Sequence, residues 1–129
     1  MLNHITLIGR LTRDPDHRFT SSGTPVTNFT IAVERNYKNK DGEIEVDYIK
    51  IVTWRKLAEI CAEHLGKGRL VAVEGSLQIR KSKKDDRTYI NPEVIANNVN
   101  FLDWGKDNKK TEKVEDDDLD DSDEFQVPF

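Results

Sequence analysis

Val46-Asp47-Tyr48-Ile49-Lys50-Ile51-Val52-Thr53-Trp54-Arg55-Lys56-Leu57-Ala58-Glu59-Ile60-Cys61-Ala62-Glu63-His64-Leu65 changes its period in the middle. Over residues 46–54 the side chains alternate, with Ile49, Ile51 and Thr53 on one side and Tyr48, Lys50, Val52 and Trp54 on the other. Period two reads as a half-buried strand. From Lys56 onward Leu57, Ile60, Cys61 and Leu65 recur at helical spacing, with Lys56, Glu59, Glu63 and His64 outside. Gly66 and Gly68 then end the helix. A strand running directly into a short helix is the organising feature of this chain.

Working outward, residues 4–11 alternate with Ile5, Leu7 and Leu11 on one side, predicting a first strand. Asp14-Pro15 and Ser21-Ser22-Gly23-Thr24-Pro25 read as turns, with Arg18-Phe19 able to pair briefly between them. Residues 26–35 form the second long strand, with Phe29, Ile31 and Val33 on one face. Asn39-Lys40-Asp41-Gly42-Glu43 is a hairpin turn between long arms, followed by the third strand at 46–54. Beyond the helix, 69–80 is a fourth strand with Val71, Val73, Leu77 and Ile79 on one face and Gly75 permitting a bend. Residues 81–87 read as a basic loop, and 88–102 as a fifth strand interrupted by Pro92. Five strands with one helix between the third and fourth predict an all-β OB-fold, a small Greek-key barrel. An SH3-like barrel lacks a helix of this length there.

The chain has 129 residues, enough for one domain plus an appendage, and a net charge of −4. That charge is unevenly placed. Residues 1–104 hold sixteen Lys and Arg against fourteen Asp and Glu, a net of +2, whereas 105–129 hold four against ten, a net of −6. Acid segregated in this way does not cancel the field over the body at physiological salt, so a low pI does not exclude a polyanionic ligand. Eight of the ten residues at 115–124 are carboxylates, and Phe125-Gln126-Val127-Pro128-Phe129 follows them. Such a run repels itself and cannot enter a core, which predicts a disordered acidic tail presenting an apolar docking peptide. The domains expected are 1–104 for the barrel, 105–114 for a short charged linker and 115–129 for the tail.

Little here suits catalysis. His4, His17 and His64 fall on a strand, a turn and a helix face, and Asp14 and Asp16 flank a turn proline. The tail carboxylates are not spaced as a calcium loop. The single cysteine, Cys61, offers neither a disulfide nor a metal pattern and sits on the apolar side of the helix. A non-enzyme is expected, with no cofactor and no metal. Met1-Leu2-Asn3-His4 opens into a strand pattern without a signal-peptide core, and no apolar run approaches a membrane span, so the expectation is a soluble intracellular protein.

The third strand carries the chemistry. If the isoleucines face the core, Tyr48, Lys50 and Trp54 form a row on the opposite side, with the two rings about 20 Å apart at roughly 3.3 Å per residue. Unpaired bases present a π-face whatever their identity, and cations neutralise phosphate without reading sequence. Tyr37 lies in the hairpin beside Arg35, Lys38 and Lys40, and Arg80, Lys81, Lys83, Lys84 and Arg87 cluster after the fourth strand. Three elements thus bring rings or cations around one groove suited to single-stranded nucleic acid, and Arg10 on the first strand is counted with them.

Several stretches together resemble the bacterial-type single-stranded DNA-binding (SSB) family. They are Asn3 through Asp14-Pro15, Phe29-Thr30-Ile31-Ala32-Val33, Trp54-Arg55-Lys56-Leu57-Ala58-Glu59, Lys67-Gly68, Val73-Glu74-Gly75-Ser76-Leu77 and the acidic ending with Pro-Phe. The resemblance spans about residues 1–104 and the final ten, and its specificity lies in the order of the pieces. It implies stacking by Tyr37, Tyr48 and Trp54 and backbone contacts by Lys50, Lys56, Arg80 and Lys81. It further implies a homotetramer in the cytoplasm of a bacterial cell, at the nucleoid, or a phage-encoded equivalent. Replication, recombination and repair proteins would be recruited through Asp121, Asp123, Glu124, Phe125, Val127, Pro128 and Phe129. Two departures stand out. Where the family often has a further aromatic after the Arg-Lys pair, this chain has Ser82, for which Tyr89 or the extra lysines would have to compensate. The linker is short and charged, and the tip reads Glu-Phe-Gln-Val-Pro-Phe. The alternative readings are an OB-fold adaptor, or an RNA-binding module, whose acidic tail is the main interaction element.

Overall fold

The computed structural model describes residues 1–103; Trp104, the linker and the acidic tail lie outside the described residues. The elements are β1 (Ile5–Leu11), β2 (Asp16–Phe19), β3 (Pro25–Lys38), β4 (Ile44–Trp54), α1 (Arg55–His64), β5 (Leu70–Lys84) and β6 (Arg87–Phe101). They form one sheet in the order β1-β5-β6-β4-β3-β2, and β1 also pairs with β3. That second pairing closes five strands into the OB barrel, leaving the four-residue β2 as an appendage on β3.

Alternation fills the barrel. Leu11, Phe29, Ile31, Ile51, Val71, Val73 and Val94 point inward and are buried, together with Cys61 and Leu65 from α1 and the segment after it. A hydroxyl ladder ties the helix to the strands, because buried Thr27 and Thr53 must answer their own polar groups. Thr27 Oγ1 donates to the Ala58 carbonyl at 2.7 Å, and Thr53 Oγ1 donates to the Thr27 carbonyl at 2.9 Å. Having given its proton away, Thr27 Oγ1 accepts from His17 Nδ1 at 2.8 Å, which ties β2 to β3.

Two glycines act by absence of volume. At the β1–β3 closure a Cβ on Gly9 would stand 2.5 Å from the Ala32 carbonyl oxygen. At the β5–β6 bulge a Cβ on Gly75 would stand 2.1 Å from the Ile95 carbonyl oxygen. The bend expected at Gly75 is present as this bulge, and close backbone approach is what demands glycine there.

Both long hairpins extend well along the sheet. The β3–β4 turn is held by Asn39, whose side-chain oxygen accepts from the backbone N–H groups of Asp41 at 2.9 Å and Glu43 at 3.0 Å. Residues 81–87, read from sequence as a basic loop, are instead ordered hairpin: Lys81 faces Ile90, Ser82 faces Tyr89, Lys83 faces Thr88 and Lys84 faces Arg87. Asp85 and Asp86 make the turn with φ of 54° and 64°. A two-residue turn of that hand matches strand twist, and aspartate tolerates positive φ better than most side chains do. β6 runs unbroken through Pro92, which falls one residue before β4 begins to pair with it. There β6 is still an edge on that side, where a strand accepts proline. Among the described residues no helix is long and apolar enough to cross a membrane.

Candidate nucleic-acid interface

β4 sends Ile51 and Thr53 into the barrel, fully buried, which forces Tyr48, Lys50, Val52 and Trp54 onto the outer face. The two aromatics remain available: Tyr48 is 68 % exposed and Trp54 37 %. Val52 between them is only 6 % exposed, flanked by Asn28 on β3 and Ile95 on β6 in the register. The row is thus two raised rings with a closed apolar floor between them.

Lys50 stands beside that floor and is held by a residue that sequence reasoning did not select. Glu93 on β6 is directly opposite in the parallel β4–β6 pairing, and its side chain is 4 % exposed. Its Oε2 lies 3.6 Å from Lys50 Nζ, and its Oε1 accepts from Arg80 Nε at 3.1 Å. A carboxylate sunk this deep needs opposite charge beside it. Both cations keep most of their surface in solvent, so the buried acid fixes their positions without enclosing them. The only hint in the sequence was an acid set among the apolar residues of β6.

The remaining candidates divide. Arg80 and Lys84 lie on the same face of β5 as the Lys50–Glu93 pair, whereas Lys81 and Lys83 alternate onto the other face. That other face continues the line of Val71 and Val73, and there Leu77, Ile79 and Ile90 are exposed. Tyr37 is exposed near the end of β3, and Lys38 opposes Ile44. Arg35 is engaged: its Nε and Nη2 each donate to Asp47 at 3.0 Å, and its Nη1 lies 3.2 Å from Glu45. The hydrogen bonds donated to Asp47 hold the guanidinium's pKa above its ordinary value, and the same bonds hold the Asp47 carboxyl below the usual range. Arg10 is likewise occupied, donating to the Gly68 carbonyl at 2.9 Å and to Asp103 at 3.0 Å. Arg69 joins that cluster with Nε 3.2 Å from Asp103 Oδ1, an ion-pair contact without hydrogen-bond geometry, and Nη2 donating to the Asp103 carbonyl at 2.9 Å. Lys56 lies in the first turn of α1 beside Gly23, Thr24 and Pro25, where Arg55 at φ 59° turns the chain out of β4.

Three shallow depressions follow the row. One of about 420 Å³ adjoins Tyr48 and Arg10, one of about 270 Å³ adjoins Lys50 and Asn28, and one of about 380 Å³ adjoins Lys56. An open, interrupted groove with rings and cations along it offers contact to an extended polyanion carrying flat groups. The docking residues Asp121, Asp123, Glu124, Phe125, Val127, Pro128 and Phe129 lie outside the described residues.

Comparison with known proteins gives a consistent result. Residues 2–102 match the family model described as "Single-strand binding protein family". The Single-stranded DNA-binding protein of Caldanaerobacter subterraneus subsp. tengcongensis is 57 % identical over 104 residues, covering 79 % of this chain and 69 % of the relative. Single-stranded DNA-binding protein B of Bacillus subtilis is 46 % identical over 105 residues, covering 80 % of this chain and 92 % of that protein. Among solved structures, the Plasmodium falciparum SSB complex with ssDNA superposes with a TM-score of 0.73 at 30 % identity, covering 80 % of this chain and 96 % of that one.

Proposed function

The chain belongs to the single-strand binding protein family, and from that premise we propose that it binds and protects single-stranded DNA without marked sequence preference. The observation that carries this reading is the pair of exposed rings, Tyr48 and Trp54, raised on either side of Lys50 on one open strand face. Stacking on each ring contributes on the order of 1–3 kcal/mol per base and is blind to base identity. Tyr37 adds a third ring on the β3–β4 arm, and Lys38, Lys50, Lys56, Arg80 and Lys84 answer phosphates. Arg10 and Arg35 contribute field more than contact, since each spends two or more of its donors within the protein, whereas Lys50 and Arg80 share the single carboxylate of Glu93. The protein acts as a binder and not a catalyst.

Titration with oligo-dT tests this. In a Trp104→Phe background, so that Trp54 is the sole indole, fluorescence falls on binding, and log Kobs against log salt slopes by roughly −0.7 per phosphate contact. Trp54→Ala weakens binding by about 1–3 kcal/mol. Equal affinity for duplex and single strand would overturn the reading, and tighter binding of oligo-rU than of oligo-dT would move it to RNA.

Two finer statements belong to the same proposal. First, the protein works as a homotetramer in the bacterial cytoplasm, at the nucleoid. Exposed Leu77, Ile79 and Ile90 on one face of the β5–β6 arm support this, since an apolar surface of that kind is stabilised by being covered. Light scattering with and without oligo-dT gives mass and stoichiometry, and a monomer at micromolar concentration would refute it. Second, residues 115–129 recruit replication, recombination and repair proteins. Their eight carboxylates at 115–124, with Phe125, Val127, Pro128 and Phe129, suit an apolar pocket rimmed by cations. Removing residues 127–129 should abolish partner capture and leave DNA binding unchanged or slightly tighter. Markedly weaker DNA binding would contradict it.

A further inference from the structure

Glu93 is an acid set in a groove that otherwise suits a polyanion. Among the described residues it is the one charged residue that is buried. A strand flanks it on each side: Lys50 on β4 lies opposite it in one direction and Gln78 on β5 in the other, with Arg80 on the diagonal. Its carboxylate therefore reaches a cation on each neighbouring strand. Oε1 accepts from Arg80 Nε at 3.1 Å, and Oε2 lies 3.6 Å from Lys50 Nζ, an ion-pair contact beyond hydrogen-bonding distance. Among the described residues neither cation has another hydrogen bond or ion pair. Both Nη groups of Arg80 and the three N–H bonds of Lys50 are thus left for a ligand.

This arrangement limits what a bound strand can do. Drawing the cations away would leave a buried carboxylate without its partners, which is strongly destabilising. Phosphates must therefore come to Lys50 and Arg80 where Glu93 holds them. Arg80 is held through Nε alone, so its paired Nη donors remain as the fork that suits phosphate oxygens. The same carboxylate lowers the charge that phosphates meet, since two cations and one anion make a unit of net charge +1. Resting on the single-stranded DNA reading, we infer that Glu93 is a positioning residue: it presents Lys50 and Arg80 as one unit of net charge +1, orienting both cations while holding down the groove's electrostatic grip. The protein then binds its strand less tightly than its cations alone would dictate, and releases it more readily.

The test is oligo-dT affinity across a salt series in the full-length protein, comparing the parent with Glu93→Gln and Glu93→Asp. Glutamine keeps an oxygen for Arg80 Nε and removes only the charge. Glu93→Gln should steepen the slope of log Kobs on log salt by roughly 0.7, the equivalent of one added phosphate contact. At low salt it should bind about 2- to 5-fold tighter, the factor for removing a like charge roughly 4–8 Å from a phosphate at water-like dielectric. That advantage should shrink about 2.6-fold for each fourfold rise in salt. Glu93→Asp keeps the charge but draws the carboxylate back by one methylene, so it should keep the parent slope and bind more weakly. Lys50→Gln/Glu93→Gln restores the net charge of +1 and should return to the parent slope. Should Glu93→Gln alone not fold, the double variant is compared with Lys50→Gln and must be steeper by the same amount. A role confined to stability would lower Tm and leave the Glu93→Gln slope at the parent value. That result, or weaker low-salt binding by Glu93→Gln, overturns the inference while the function proposed above stands. If the parent does not bind oligo-dT, both fail together.

Discussion

Gly75 is the position at which one methyl group should do most damage. A Cβ built there meets only backbone: the Ile95 carbonyl oxygen at 2.1 Å, the Ala96 Cα at 2.8 Å and the Ile95 carbonyl carbon at 2.9 Å. Non-bonded carbon contacts settle near 3.5–4.0 Å, so β5 and β6 would have to separate by roughly an ångström. No side chain can rotate out of the way, and the ladder continues on both sides of the bulge. Overpacking costs about 1–3 kcal/mol when side chains can adjust; with backbone on every side, Gly75→Ala should fall at or above the upper end. For a barrel of this size about 3 kcal/mol corresponds to a fall in Tm of roughly 12–24 °C at fixed protein concentration. The matched control is Gly66→Ala. Its Cβ would meet only the Asp14 side chain, at 3.7 Å, and its φ is not positive. That change should be neutral, or stabilising by about 0.4–1 kcal/mol through the unfolded chain. Thermal and urea unfolding of the two variants decide the matter. A Gly75→Ala protein within about 0.5 kcal/mol of the parent, or a Gly66→Ala protein equally damaged, would refute the reasoning.

Other outcomes follow from single features. Asp47 titrates below the usual carboxylate range because Arg35 donates two hydrogen bonds to it, so the pair's stabilisation is present above the ordinary carboxylate pKa and is lost as pH falls through the lowered folded value. A carboxyl NMR titration should show Asp47 returning to the ordinary range in Arg35→Gln, and an unchanged midpoint would sink the assignment. Burial pushes the Cys61 thiol up to about 11, only partly offset by its hydrogen bond with Thr53. Only on the order of one molecule in a thousand is then thiolate at pH 8, and alkylation should track global unfolding; rapid labelling of the native protein would contradict this. Replacing Asp85-Asp86 by Asn-Gly relieves two positive-φ aspartates and should slow amide exchange in the β5–β6 arm. Faster exchange there would mean that the turn is not what holds the arm.

How far the sequence could be read depended on whether a feature was periodic. The switch from alternating Ile49, Ile51 and Thr53 to the spacing of Leu57, Ile60 and Cys61 identified β4 and α1, and with them the barrel. The outward row of Tyr48, Lys50 and Trp54 followed from the same alternation. Residues 81–87 were misread because Asp85-Asp86 lacks the glycine that normally announces a two-residue turn, and lysines at successive positions hide which face each occupies. Glu93 was missed because an acid in an apolar strand does not by itself name its partners; only the parallel register places it between Lys50 and Arg80. The engagement of Arg35 by Asp47 depended on pairing across a hairpin whose register shifts between Glu34 and Lys38, which composition cannot show.

The alternation of cations along β5 has a bearing on how relatives of this protein can vary in length. An odd-numbered insertion or deletion in one leg of the hairpin between Gln78 and Lys84 would exchange Arg80 and Lys84 for Lys81 and Lys83 across the ribbon, rotating every charge to the reverse side. Length changes confined to the Asp85-Asp86 tip, or made in pairs, leave parity intact. Homologues should therefore tolerate long and short hairpins freely at the apex, while single-codon slips within a leg are purged even where the codon gained or lost carries neither charge nor apolar bulk.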